Sequence, residues 1–529
     1  MRGFLRSLAV GLWASTSMLA GGCGSGGGGG TSIDVSFEMS LDGITGRLYV
    51  CDFSGNGLRT LDGGVGSINR DRWSPDRSRV AIVAENPAGD DRVYVVTAKD
   101  GITVPVSAPP TPGTYVSDPI WSPDGTKLAW VGDLINDANG AYELWVWPGS
   151  GPAIQVSGAE SVMTTAAPRW SPDGSRLAYG GQPADQIPNG PVSLYAVKAD
   201  GTGRTKVSGS LVSGGSVTWN IPNGTLTSGL HRIWSPDGTR LAFLADKEVD
   251  GRRDLYTVKP DGTGLVKVLA ATSAPDGVTA FDWSPDGSRI LGHLIASGAY
   301  RLWTVLPAGG SPIAVSAVGQ VVAFYRTAFS PDGSRIVYVT GLDNELRTVD
   351  ALGLSPALIT TVASGVIPTS GLEWSPDGAR IGYVAGVEGV GNPDHFRLYS
   401  VAATSGAIPA LLSPQVDAVD GDAPDTGWDW SPDGSRILYV AQPDSTVPYD
   451  LFVVNANGSG LVKVTDLTFA TSYPSYRRWA SDGTRFLWEE GDPADGTFRM
   501  RSALANGSGH VTMLEGLPAA AFVGYPTVR

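Results

Sequence analysis

Short stretches of alternating apolar and polar residues recur along the chain, each ended by a cluster of turn formers. SLYAVKADGTG from Ser193, DLYTVKPDGTG from Asp254, RLYSVAATSG from Arg397 and DLFVVNANGSG from Asp450 share one layout. In most of them the alternation runs into Asp-Gly or Asn-Gly, a strong short-range hairpin signal. A second layout interleaves with the first. WSPDGTKLAW at Trp121 returns as WSPDGSRLAY at Trp170, WSPDGTRLAF at Trp234 and WSPDGSRILG at Trp283. It returns again as FSPDGSRIVY at Phe329, WSPDGARIGY at Trp374 and WSPDGSRILY at Trp430. WSPDRSRVAI at Trp73 and WASDGTRFLW at Trp479 are weaker copies. Most neighbouring copies lie about 45 to 49 residues apart, with longer gaps after Trp170 and Trp374.

The second layout also reads as a hairpin. An aromatic ends one strand, proline presets its own φ, aspartate bonds to nearby backbone and glycine accepts a positive φ. The pairs Asp124–Gly125, Asp173–Gly174, Asp237–Gly238, Asp286–Gly287, Asp332–Gly333, Asp377–Gly378 and Asp433–Gly434 are therefore assigned to the turn and not to catalysis. A basic residue opens the next strand in all nine copies: Arg79, Lys127, Arg176, Arg240, Arg289, Arg335, Arg380, Arg436 and Arg485. These cations are expected to pair with the turn carboxylates and to guard a strand end.

Two hairpins per repeat make a four-stranded antiparallel unit. A single such sheet leaves both faces bare, and stacking the units around an axis lets each cover the next. The expected fold is thus an all-β propeller of about nine to ten four-stranded blades. The ends of the chain add to this count. RLYVCDFSGNG at Arg47 precedes any Ser-Pro-Asp-Gly hairpin, and RMRSALANGSG at Arg499 is the last of its kind, so ten hairpins of one type face nine of the other. The missing strands are expected from SIDVSFEM, residues 32–39, and AAAFVGYPTV, residues 519–528. A blade shared by both termini would close the ring and remove its open edges. One ring of ten, a ring of nine with an extra piece, and two smaller rings all fit the count.

These repeats resemble the PD40, or TolB-like, family of propeller repeats, and the resemblance covers nearly all of residues 33–529. The Gly-His and Trp-Asp signatures of WD40 blades are missing. TolB proteins are periplasmic propellers that dock onto a peptidoglycan-associated lipoprotein, and they carry an N-terminal α/β domain that has no counterpart here. The resemblance implies a TolB-like propeller in a lipoprotein form.

The N-terminus reads as an address. Arg2 and Arg6 precede an apolar run from Leu8 to Leu19, too short for a comfortable membrane span. Residues 1–22 are expected to be a signal peptide. Ala20-Gly21-Gly22-Cys23 resembles the lipobox of bacterial lipoproteins, in which the cysteine is lipidated. Ala20 stands where leucine is usual, which leaves cleavage without lipidation as the alternative. Residues 23–32 are glycine-rich and are expected to be a flexible tether after a lipidated Cys23. Residues 33–529 are expected to be the propeller, anchored to the periplasmic or cell-surface face of a bacterial envelope.

Composition narrows the function classes. The formal net charge is −14, with no run of Lys and Arg, which argues against nucleic-acid binding. Charged residues make up 17% and hydrophobic ones 42%, and there are 71 Gly, 37 Pro, 16 Trp and 17 Tyr. That composition suits an ordered, turn-rich β protein. Cys51 is read as a small packed strand residue.

Catalytic motifs fail. There is no G-x-S-x-G elbow and no H-E-x-x-H, and His231, His293, His395 and His510 have no ligand spacing. PD40-type propellers also cap serine peptidases that carry a separate α/β-hydrolase domain, for which this chain is expected to have no room. The candidate calcium loop, VDAVDGDAPDTGWDW, contains Asp417, Asp420, Asp422 and Asp425 but lacks EF-hand spacing, so it reads better as a solvated acidic loop. No cofactor is expected. Variable loops opposite the short turns are the expected binding face. The resulting expectation is a non-enzymatic scaffold that binds an envelope protein or glycan. A surface sensor or adhesin is the second reading, and a glycan lyase or hydrolase the third.

Overall fold

The computed structural model describes residues 35–528 apart from 41–45, 53–55, 57–58, 62, 86–89, 110–114, 135–140, 165–166, 188–189, 219–232, 271–276, 297–298, 317–326, 341–344, 362–367, 387–395, 414–417, 420–426, 443–448, 466–473, 493–496 and 518–526. Its described strands form ten antiparallel sheets of four or five strands, and the one helical turn is a 3-10 segment, Ala184–Gln186. Nine sheets follow one another along the chain. They span residues 67–105, 115–155, 160–206, 217–269, 277–314, 327–361, 368–411, 418–463 and 474–517, and are called blades 1 to 9. In each blade, strands a, b, c and d are hydrogen-bonded neighbours in chain order. Strand a is broken into two pieces in blades 2, 3 and 8.

The tenth sheet unites the two ends of the chain. Val35–Ser40, Gly46–Cys51 and Arg59–Thr60 supply three strands, and Thr527–Val528 adds a fourth, with Val35 opposite Val528 and Ser36 opposite Thr527. This is the terminal blade.

The cores lie between blades. Strand b of blade 1, Arg79–Glu85, shows why. Val80 and Ile82 pack with Leu48 and Val50 of the terminal blade, whereas Ala81 and Val83 pack with Leu128 and Trp130 of blade 2. Successive side chains of a strand point to opposite faces. Because both faces are covered, strand b is apolar at every core position instead of alternating. Equivalent mixed clusters join each following pair of blades up to blades 8 and 9. Each fully buried Val, Leu, Ile or Phe contributes roughly 1.5–3 kcal/mol, so the seams carry the stability of the molecule.

The repeat aromatic clasps one blade to the next. The indole N–H of Trp121 donates to the Arg72 carbonyl at 2.8 Å, Trp170 to Ile120 at 3.1 Å and Trp234 to Arg169 at 3.0 Å. Trp374 donates to Ala328 at 3.3 Å and Trp479 to Asp429 at 3.4 Å. In every case the acceptor stands just before the repeat aromatic of the preceding blade. Strands a therefore lie side by side along the inner edge of the stack.

Candidate functional site

The turn of blade 4 shows how its residues are used. Ser235 Oγ donates to Asp237 Oδ1 at 2.6 Å, and the amides of Thr239 and Arg240 donate to Asp237 Oδ1 and Ser235 Oγ at 3.0 and 2.9 Å. The Gly238 amide closes the turn onto the Ser235 carbonyl at 2.8 Å. The same bonds recur at Asp124, Asp173, Asp286, Asp332, Asp377 and Asp433. The glycines that follow these aspartates have φ between 65° and 71°. At Gly287 a Cβ would also stand 3.2 Å from Cδ of Pro236 in the preceding blade. Partial burial raises the Asp124 carboxyl, but hydrogen bonds from Ser122 and Thr126 outweigh it and hold the group at about 2.

The repeated cations differ from expectation. Lys127 lies 3.7 Å from Asp124, but several arginines spend their N–H groups on uncharged acceptors. Arg79 donates to the Gly125 carbonyl of the next blade, Arg240 to Thr257 and the Gly264 carbonyl, Arg335 to Thr348, Arg380 to Ser400 and Arg485 to Ser502. Reaching across to strand c pairs the Nη2 end of Arg240, Arg335, Arg380 and Arg485 and buries the stem.

Cys23, Asp417, Asp420, Asp422 and Asp425 lie outside the described residues, as do His231 and His395. Cys51 is buried at the end of its strand. His293 is buried in the seam of blades 5 and 6, with Nε2 3.3 Å from Thr327 Oγ1, and burial pushes its pKa down to about 3. It is a neutral core side chain at physiological pH. His510 caps a turn through the Gly507 carbonyl at 2.8 Å. Among the described residues no group of three His, Cys, Asp or Glu is placed to hold a metal ion.

A cluster of charge and aromatic rings sits at the inner strands of blades 1 and 2, at residues the sequence reading did not single out. Strand a of blade 1, Ser67–Trp73, carries Asn69, Arg70, Asp71 and Arg72 in a row, with a register shift between Ile68 and Arg70 that re-aims them. Asp118, in the break of blade 2's inner strand, receives both arginines. Arg70 Nε lies 2.9 Å from one carboxylate oxygen and Arg72 Nη2 lies 2.6 Å from the other. Arg70 also donates to the Val116 carbonyl at 3.1 Å, approaches Asp91 at 3.6 Å and stacks 5.7 Å over the Tyr115 ring. Asn69 donates to Glu85 at 2.8 Å and to Asp91 at 3.3 Å. Tyr115 meets Tyr142 edge to face at 5.6 Å.

Asp71 stands apart within this cluster. Among the described residues its carboxyl forms no hydrogen bond or ion pair with another side chain. Burial, the largest influence, and the negative charge of Asp118 push its pKa up to about 6 against the pull of Arg72 and Arg77. Its cross-strand partner is Ile82, on the face packed toward the terminal blade, whereas Arg70 and Arg72 are opposite Val83 and Ala81, on the face toward blade 2. Other carboxylates have partners. Glu160 accepts Tyr179 OH at 2.6 Å and Arg204 at 2.8 Å, Asp450 pairs with Lys463 at 2.8 Å, and Glu490 with Arg501 at 2.8 Å.

No protein-family model matches the chain. A curated protein from Bacillus subtilis, the uncharacterized peptidase YuxL, is 34% identical over 176 residues. That alignment takes in 33% of this chain and 17% of the relative, so the chain spans about a sixth of the relative's length. Among solved structures, Porphyromonas gingivalis dipeptidyl peptidase 4 is similar at a TM-score of 0.48 and 14% identity, over 80% of this chain and 64% of that one. A putative TolB from Agrobacterium tumefaciens is similar at a TM-score of 0.26 and 17% identity, over 54% and 88%.

The peptidase-named relative corrects the expectation that this chain is not an enzyme. That expectation rested on motifs contiguous in sequence. Arg70 and Arg72 meet Asp118 only because neighbouring blades pack their inner strands together, and a motif search sees nothing at such a separation. The usable signal was the run NRDR before Trp73, four polar residues on a strand that faces its neighbours.

Proposed function

We propose that this protein is a propeller hydrolase of the peptidase type, with the inner-strand cluster of blades 1 and 2 holding the substrate. The observation that carries this reading is the 34% identity to a peptidase-named relative over 176 residues. The cluster is chemically suited to it. Arg70 and Arg72 offer N–H donors to peptide carbonyls, Asn69 offers an amide, and Tyr115 and Tyr142 give flat apolar contact.

The full chain is expected to cleave members of a mixed peptide library, with products read by mass spectrometry, and Arg70→Ala is expected to lower kcat/KM at least tenfold. A folded protein that leaves every peptide intact, or that releases sugars from envelope glycans and ignores peptides, contradicts this reading. On sequence pattern alone, we also propose that Cys23 carries lipid and tethers the body to a bacterial envelope. Labelling with a fatty acid that survives in Cys23→Ser would contradict the anchor.

A further inference from the structure

Exposed aliphatic side chains are not scattered over this molecule. Among the described residues, every exposed large hydrophobic side chain apart from Val249 lies at the turn between strands c and d or on its flanks. Ile102 of blade 1, Leu265 of blade 4, Leu306 of blade 5, Leu354 of blade 6, Ile408 of blade 7 and Leu461 of blade 8 each mark such a turn. Ile408 is 89% exposed and Leu354 61%, so neither is covered by its own blade. Apolar groups gathered at one edge of a folded body mark a contact surface.

These turns share their edge with the Ser-Pro-Asp-Gly turns. Just after strand c, the Ala98 amide donates to the Ser78 carbonyl at 2.9 Å, Ala199 to Ser175 at 2.9 Å and Ala456 to Ser435 at 2.8 Å. Successive c–d turns are also bonded to one another. Thr304 Oγ1 of blade 5 donates to the Ala351 carbonyl of blade 6 at 2.9 Å, and Ser405 Oγ of blade 7 to Leu358 of blade 6 at 3.0 Å. Arg59 of the terminal blade donates to the Ala98 carbonyl of blade 1 at 2.6 Å. The aliphatic residues therefore follow one edge.

The N-terminal chain enters the molecule at this same edge. In the terminal blade Val35–Ser40 takes the place of strand b, and Val35 is opposite Cys51, the last residue of its strand c. Strand b begins beside the end of strand c only at the turn edge. Cys23 precedes Val35 by 12 residues, a stretch that reaches about 40 Å at full extension. Setting the opposite edge on a bilayer would use much of that length to climb one strand, roughly 23 Å for seven residues.

We propose that the turn edge is the membrane-facing surface of this protein, and that its aliphatic arc rests in the headgroup region of the bilayer. The proposal builds on the Cys23 anchor above and commits the body to one orientation. Lys99, Lys198 and Lys259 stand exposed in the same turns beside Asp100, Asp200 and Asp261, so these three turns set no net charge against anionic headgroups. Glu85 ends strand b of blade 1 and Asp91 opens its strand c, and both accept Asn69. That end of the blade 1–2 site therefore lies toward the other edge, away from the bilayer.

The test uses the lipidated full chain in vesicles of phosphatidylethanolamine and phosphatidylglycerol. Cys51 is buried, so one added cysteine carries an environment-sensitive fluorophore, at Leu354→Cys, at Ile408→Cys or, between strands b and c of blade 4, at Val249→Cys. Lipids brominated high in the acyl chain are expected to quench the first two labels at least about threefold more than the third. Quenching that is absent everywhere, equal at the two edges or confined to Val249→Cys overturns the orientation, and the anchor stands as long as the protein floats with the vesicles. A blue shift at Leu354→Cys that grows with protein concentration without vesicles gives the arc to a second copy and overturns the proposal equally. A wild type that carries no lipid at Cys23 and does not float defeats the anchor, and the proposal falls with it.

Discussion

Arg77 stands where eight other copies of the turn place glycine. Its φ is 58°, against 65° to 71° at those glycines. A side chain in this left-handed region costs about 1–2 kcal/mol, because Cβ crowds the following carbonyl. Arg77→Gly is accordingly expected to raise the unfolding free energy by about 1 kcal/mol, read from chemical denaturation. An unchanged or lower midpoint would show that contacts of the Arg77 side chain outweigh the backbone strain. The residue is also one of the two cations that pull against the raised pKa of Asp71, so the same variant should move the titration of that carboxyl upward.

At the scale of the element, the Ser-Pro-Asp-Gly turn was legible to the last residue, because every group in it acts within five positions of sequence. Proline and glycine set the dihedrals and aspartate collects the amides and hydroxyls locally, although Gly287 also lies against Pro236 of the preceding blade. The basic residue after the turn was misread for the opposite reason. Arg240 finds its acceptors at Thr257 and Gly264, on the far side of the next hairpin, and proximity in sequence suggested the turn carboxylate instead. The turns also make a pH prediction. Hydrogen bonds from serine and threonine hold Asp124, Asp173, Asp237, Asp286, Asp332 and Asp433 below the ordinary carboxylate pKa. The stabilisation they give is fully present above about pH 4 and is lost as pH falls toward 2, since protonation removes the acceptor. Thermal unfolding followed from pH 5 to pH 2 should show Tm falling steeply below pH 4, with net proton uptake on unfolding. A flat profile in that range would contradict the role given to these bonds.

At the scale of the whole molecule, the sequence revealed the blade, its repetition and the strands contributed by both ends, since periodicity survives in one dimension. The site was not visible in the same way. Asn69 to Arg72 look like an ordinary polar stretch until blade 2 brings Asp118, Tyr115 and Tyr142 against them. The seams explain both outcomes. Apolar residues face the seams at every strand b and leave a repeating trace, whereas Arg70, Arg72 and Asp118 come together at a single seam among the described residues. Everything rests on blades shielding one another, with the first sheet completed by the last strand. The direct test is a disulfide between Ser36→Cys and Thr527→Cys, which are opposite each other in the terminal blade. Mild oxidation of the folded protein is expected to join them in nearly every molecule and to raise Tm, because the bond ties the two ends of the stack. Folded protein whose two cysteines stay reduced, or a bond that forms without any gain in Tm, would contradict the shared blade.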